Sequence, residues 1–238
     1  MAFTLREATC TAVGSFNIYI FRPDWIAGLF PGGDASEVEQ RPLPQHDLSV
    51  DLTQPGLRLR FPGWRTEWTV RPDRLIVATI PRDASAGERE EQAAANDPAD
   101  CGSAVATVLE TLRETPLREV GNTFRFVAPA DEPVPNLPAG HLFAGWPNPP
   151  DVETVRSSGF GCVLDGPGGS RVSFSLTRTG RAHDLPGDLP PGGLLAMVNV
   201  RENASRVETC AGRAADFRND YELAQALIRT HLRSEVAA

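Results

Sequence analysis

Lysine is absent from this chain, so all 23 basic residues are arginine. No lysine is therefore present to contact a phosphate, and the lysine-bearing glycine loop of nucleotide-binding proteins is excluded with it. Two causes would leave such a composition. The codon bias of a GC-rich genome also suits the 21 glycines and 21 prolines. Selection against amine modification, as beside a lysine-modifying enzyme, is the other.

Long apolar runs are missing too. No stretch approaches the roughly 18 residues that span a bilayer, and Met1 to Glu7 shows no basic region leading into an apolar segment. The expected location is cytoplasmic. Cysteine is scarce: Cys10, Cys101, Cys162 and Cys210 lie dozens of residues apart with no Cys-x-x-Cys or His-x-x-x-His partner. A zinc site thus has no local support, and without an export signal reduced, mostly buried thiols are expected rather than the two disulfides arithmetic allows. No metal and no cofactor is expected.

What is present describes a folding chain. Its 238 residues make one ordinary domain or two compact halves. With 41% hydrophobic and 23% charged residues, wholesale disorder, a collagen-like repeat and a coiled-coil rod are disfavoured. The net charge of −8 repels nucleic-acid phosphates and anionic lipid heads, so neither nucleic acid nor membrane is the expected partner.

Two segments read as connections. Arg82 to Asp100 carries six acids against two arginines without apolar periodicity, the composition of a solvated loop. Residues 129–151 hold seven prolines, whose fixed φ and missing N–H exclude interior helix and central strand. The expected organisation is a first α+β half over residues 1–128, a proline-rich linker at 129–151 and a second α+β half over 152–238.

Alternation supplies the strands. Thr4 to Val13 alternates loosely, and Asn17 to Phe21 is a β-branched and aromatic run that reads as a further strand. Pro23 suits the first turn of a short helix holding Trp25, Ile26 and Leu29. Leu57 to Phe61 alternates strictly; Trp64, Thr66, Trp68 and Val70 share one face, and Leu75 to Ile80 returns after an Arg71-Pro72-Asp73-Arg74 turn. This is an antiparallel meander. Ala104, Val105, Val108, Leu109 and Leu112 form one helical stripe, with a strand at Thr123 to Val127 after it. In the second half Val155 to Leu164, the strand through Val172, Phe174 and Leu176, and the apolar run Leu194 to Val200 are strands, and Phe217 to Leu232 has helical spacing. The fold class expected is α+β: antiparallel sheet, in one or two pieces, with two main helices near 101–114 and 214–233 packed on one face. Each half runs strands first and a helix afterwards.

Three stretches resemble a group of uncharacterised bacterial proteins of similar length: Gly14 to Trp25, Trp68 to Leu75, and Thr115 to Asn122, followed by the late apolar strand Gly193 to Asn199. What the resemblance implies is one architecture over most of the chain. It brings no catalytic residue, since the group has no established activity.

Chemistry-bearing residues are few. Gly159-Phe160-Gly161-Cys162 with Asp165 to Gly169 lacks the spacing of a phosphate loop and reads as a hairpin turn. Cys162 becomes a nucleophile only if His141 or His183 folds beside it, and a buried structural thiol is the plainer reading. His46-Asp47 and His183-Asp184 could orient a base or ligate a metal, but neighbours on a chain point apart, so both read as solvated loop polarity. His231 falls on the apolar stripe of the last helix. The strongest feature is Arg58, Arg60, Arg65 and Arg71, which stand opposite the apolar residues of adjacent strands. Guanidinium groups bind carboxylates bidentately and stack on aromatics, which suits a protein or peptide partner rich in acids; the competing reading is a solvated face partly paired with Glu67. Trp64 and Trp68 read as core. The function expected is a non-catalytic intracellular binding or assembly module recognising a protein or peptide. An enzyme whose site assembles only in three dimensions, or a small-molecule sensor with a cleft between sheet and helices, is the alternative.

Overall fold

A computed structural model of the chain describes residues 2–30, 38–42, 56–61, 64–79, 101–128, 158–178, 193–232 and 235–237. The acidic stretch at 82–100, the proline-rich stretch at 129–151 and His46, His141 and His183 lie outside the described residues. The fold is mixed α+β. Its strands are β1 (Ala2–Gly14), β2 (Glu39–Pro42), β3 (Leu57–Arg60), β4 (Thr66–Arg71), β5 (Arg74–Thr79), β6 (Leu117–Ala128), β7 (Ser158–Asp165), β8 (Arg171–Arg178), β9 (Leu194–Asn203) and β10 (Glu235–Ala237). The α-helices are α1 (Pro23–Gly28), α2 (Cys101–Thr111), α3 (Val207–Ala215) and α4 (Phe217–Leu232). Among the described residues the strand order is β2-β3-β4-β5-β1-β6-β9-β8-β7, with β10 parallel to β1. Two compact units divide the chain: Glu7–Asn122 with Arg201–Asp220, and Met1–Arg6 with Thr123–Val200 and Tyr221–Ala238.

In the first of these units the meander β2 to β5 is antiparallel throughout, and β5 pairs antiparallel with β1. Strict alternation sorts its side chains. Leu59, Trp68, Val70, Leu75, Val77, Cys10 and Ala12 are fully buried, and α2 packs against β5 and α3. Helix α2 approaches α3 where Gly102 sits; a Cβ there would run into the Ala214 carbonyl and the Phe217 side chain, so only glycine fits. Phe61 stacks on Trp64 at 4.2 Å between ring centres, and Phe30 meets Trp64 and Trp68 edge-on at 5.4 and 5.9 Å. Both tryptophans are core, as their strand positions imply.

Two local expectations are corrected. The strand read at Asn17–Phe21 is a 3₁₀ turn at Ile18–Ile20, because the Asn17 side chain accepts a hydrogen bond from the Tyr19 N–H at 3.1 Å and caps it. Tyr19 is consequently 82% exposed rather than packed in a strand. The helix expected to begin near 214 is preceded by a separate one, α3, and the two meet at Asp216, whose backbone is non-helical.

The second unit holds the β7–β8 hairpin, in register from Ser158↔Arg178 to Asp165↔Arg171. Its turn requires glycine at Gly168 and Gly169, which have φ of +66° and +84°. Val172, Phe174, Leu176, Leu194, Ala196, Val198 and Val200 are buried on alternate positions. Tyr221 stacks on Phe126 and tilts against Phe124, while Ala224 and Ile228 carry the buried stripe along α4.

Candidate functional site

Alternation that buries Leu59 and Trp68 turns the intervening residues to the other face of the sheet. The registers align them into rows. One row runs Arg41, Arg58, Thr69, Ile76 and Thr11; the next runs Glu39, Arg60, Glu67, Ala78 and Thr9; Arg71 and Arg74 pair beside Val13. Arg41, Arg58 and Arg60 are exposed, and Arg71 and Arg74 are half-buried. Arg65, exposed, lies one residue before β4. All four arginines singled out in the sequence thus stand on or next to the meander. The structure adds Arg41 and Arg74: Arg41 is missed in the sequence because its strand, β2, is short, charged and without apolar alternation, and Arg74 because it reads as the end of the Arg71-Pro72-Asp73-Arg74 turn.

Five guanidinium groups meet three carboxylates here, Glu39 and Glu67 on the strands and Asp73 at the turn between β4 and β5. Arg58 Nε lies 3.3 Å from Glu67 Oε1, a diagonal pair across β3 and β4, with about half of the arginine side chain still exposed. Arg41 pairs with Glu39 on its own strand. Arg74 donates to Asp73 through Nη2 at 2.6 Å and Nε at 2.9 Å, and this guanidinium holds the Asp73 carboxyl below its ordinary range. Pairs exposed to this degree contribute at most about 1 kcal/mol each, so an incoming carboxylate can exchange with them. Guanidinium keeps its proton at any working pH, which suits the face to holding an anion rather than to moving protons.

A second polar cluster is buried. Asp220, on α4, is paired with Arg213 Nη2 from α3 and accepts from Asn122 Nδ2 at 2.8 Å; Arg213 also reaches Asp216 at 3.3 Å. Asn122 is fully buried, with Arg213 and Asp220 nearly so. Among the described residues Asn122 Oδ1 and Arg213 Nε have no hydrogen-bond partner. The sequence reading missed this cluster, although a signal existed: Asn122 is the polar member of the buried alternate set Val120, Phe124 and Phe126 on β6.

The four cysteines are free thiols. Cys10, Cys101 and Cys210 are buried, whereas Cys162 is half-buried on β7, a correction to the buried thiol expected there. The Cys210 Sγ donates to the Ala204 carbonyl at 3.4 Å, and burial, aided by the Glu202 charge, pushes its pKa up to about 11. Among the described residues no three His, Cys, Asp or Glu side chains gather as metal ligands do. No helix described is long and apolar enough to cross a membrane. Comparison with protein-family models and with curated proteins finds no match.

Proposed function

We propose that this chain is a non-catalytic binding module whose arginine-lined sheet face holds an acidic segment of a protein partner. The observation carrying this reading is the register itself. It gathers Arg41, Arg58, Arg60, Arg71 and Arg74 on one side of a four-stranded meander, in a chain whose net charge is −8. A local cationic field on an acidic protein attracts anions that the rest of the surface repels. The planar guanidinium fork fits a carboxylate with two hydrogen bonds, and Arg58 and Arg60, alternate residues of one strand about 6.6 Å apart, match the spacing of same-side acids in an extended peptide.

The test is a titration of a labelled oligoglutamate peptide by fluorescence anisotropy, with an oligolysine peptide as control. Wild type is expected to bind oligoglutamate, and the Arg58→Gln/Arg60→Gln/Arg65→Gln variant to bind about tenfold more weakly or worse, since removed complementary charge costs both encounter and register. Added salt should weaken wild-type binding more than residual variant binding. Equal affinities for wild type and variant, with equal melting temperatures, would reject the arginine face.

A further inference from the structure

We infer that β7 is the interface through which two copies of this chain pair, antiparallel, into one continuous sheet. Strand β7 ends the strand order and is hydrogen-bonded only to β8 among the described residues. An unpaired edge presents a row of backbone donors and acceptors that another strand can take, and proteins ordinarily blunt such edges with short strands, charges or proline. The opposite edge is blunted in this way: β2 has four residues, among them Glu39, Arg41 and Pro42. Strand β7 has eight, Ser-Gly-Phe-Gly-Cys-Val-Leu-Asp, with no proline, no cation and one acid at its end. It also carries two of the four large hydrophobic residues that stand exposed among those described, Val163 at 63% and Leu164 at 38%.

Why the occupant is a second copy follows from the glycines. Gly161 sits mid-strand, where glycine weakens a strand and marks a close approach by something else. Among the described residues nothing in its own chain requires it. A Cβ there would meet only Phe174 O at 3.7 Å and Ser175 Cβ at 3.8 Å, ordinary contacts, and its φ is not positive. A two-fold axis perpendicular to the sheet pairs each residue with a residue of the same parity. Centred on Cys162, it sets Val163 of each copy opposite Gly161 of the other and Asp165 opposite Gly159. The exposed valine thereby fills the recess the glycine leaves, on both sides of the axis. The two Asp165 carboxylates end roughly 20 Å apart, six residues at strand rise, well beyond the screening length of about 8 Å. This strand is complementary to itself, which a closed two-fold contact demands.

Cys162 on the axis makes the pairing directly readable. Opposed residues of antiparallel strands have Cα atoms about 4.5–5.5 Å apart, within the span of a disulfide. The experiment measures mass in solution by light scattering, and treats the reduced protein with diamide before non-reducing electrophoresis. A dimer is expected, cross-linked through Cys162, with the cross-link lost in Cys162→Ser and retained in Cys210→Ser. Val163→Lys is expected to give monomers of unchanged melting temperature. Should it misfold, Gly161→Val, which fills the recess without a clash in its own chain, is expected to do the same. A wild type that stays monomeric at its solubility limit, or a dimer that survives both substitutions without a Cys162 cross-link, would overturn the inference.

Discussion

Asp220 holds a carboxylate where water hardly reaches, and the protein tolerates it because Arg213 and Asn122 both point hydrogens at it. Removing one member of a buried ion pair strands the other, at about 3–5 kcal/mol. Asp220→Ala is therefore expected to lose stability on that scale in urea unfolding, while the Asn122→Leu/Arg213→Met/Asp220→Leu triple variant should recover most of the loss, because neither a charge nor the Asn122 amide is then left buried without a partner. An equal loss in both variants would show that shape, not charge, is at stake. Cys210 makes a different prediction. Its folded pKa of about 11 exceeds its ordinary 9.0. Between these values the unfolded chain gives up its proton and the folded chain does not, so stability present below pH 9 is lost as pH rises from about 9 to 11. Melting temperatures across this window should fall less steeply for Cys210→Ala than for wild type. At this scale the sequence was partly legible. Trp64 and Trp68 announce themselves as core by strand alternation, whereas the Arg213 to Asp220 pairing depends on how α3 meets α4, which no local pattern prescribes.

Elements repeat the lesson with larger pieces. The meander of β3, β4 and β5 was readable because Leu57 to Phe61 and Trp64 to Val70 alternate without exception and Pro72-Asp73 closes the second hairpin. Trp68, fully buried and touching Phe30, anchors it, and Trp68→Ala is expected to cost about 3–5 kcal/mol. The stretch at Ile18–Ile20 misleads because β-branched composition favours a strand while Asn17 caps a turn. Helix α3 hides for another reason: its buried residues, Val207, Cys210, Ala211 and Ala214, are mostly small and share the buried side with Arg213, so no large apolar side chains mark the stripe in the sequence. Those small residues are what allow α2 so near. Gly102→Val should consequently destabilise the protein although valine is the better helix former, since the Ala214 carbonyl and Phe217 occupy the space, and calorimetry against an exposed Gly212→Val control, where only the propensity changes, separates the two effects.

At the scale of the molecule, both compact units are assembled from separated stretches of chain, and β1, β6, β9 and α4 each contribute to both. Sequence order alone gives no hint of that, because composition marks breaks in the chain and not which strands later pair. Charge, by contrast, was legible: the arginines of β3 and β4 had to share a face once their apolar neighbours were buried, and only Arg41 and Arg74 awaited the register. An acidic ligand held by this protein should sit on the arginine face of the meander. Backbone amide shifts recorded by NMR during titration with oligoglutamate measure this directly. The proposed function predicts that the largest changes fall at Arg41, Arg58 to Arg60 and Glu67 to Arg74, and vanish in the arginine-to-glutamine triple variant. Shifts concentrated instead around the exposed arginines of α4, Arg218 and Arg229, and persisting in that variant, would contradict it.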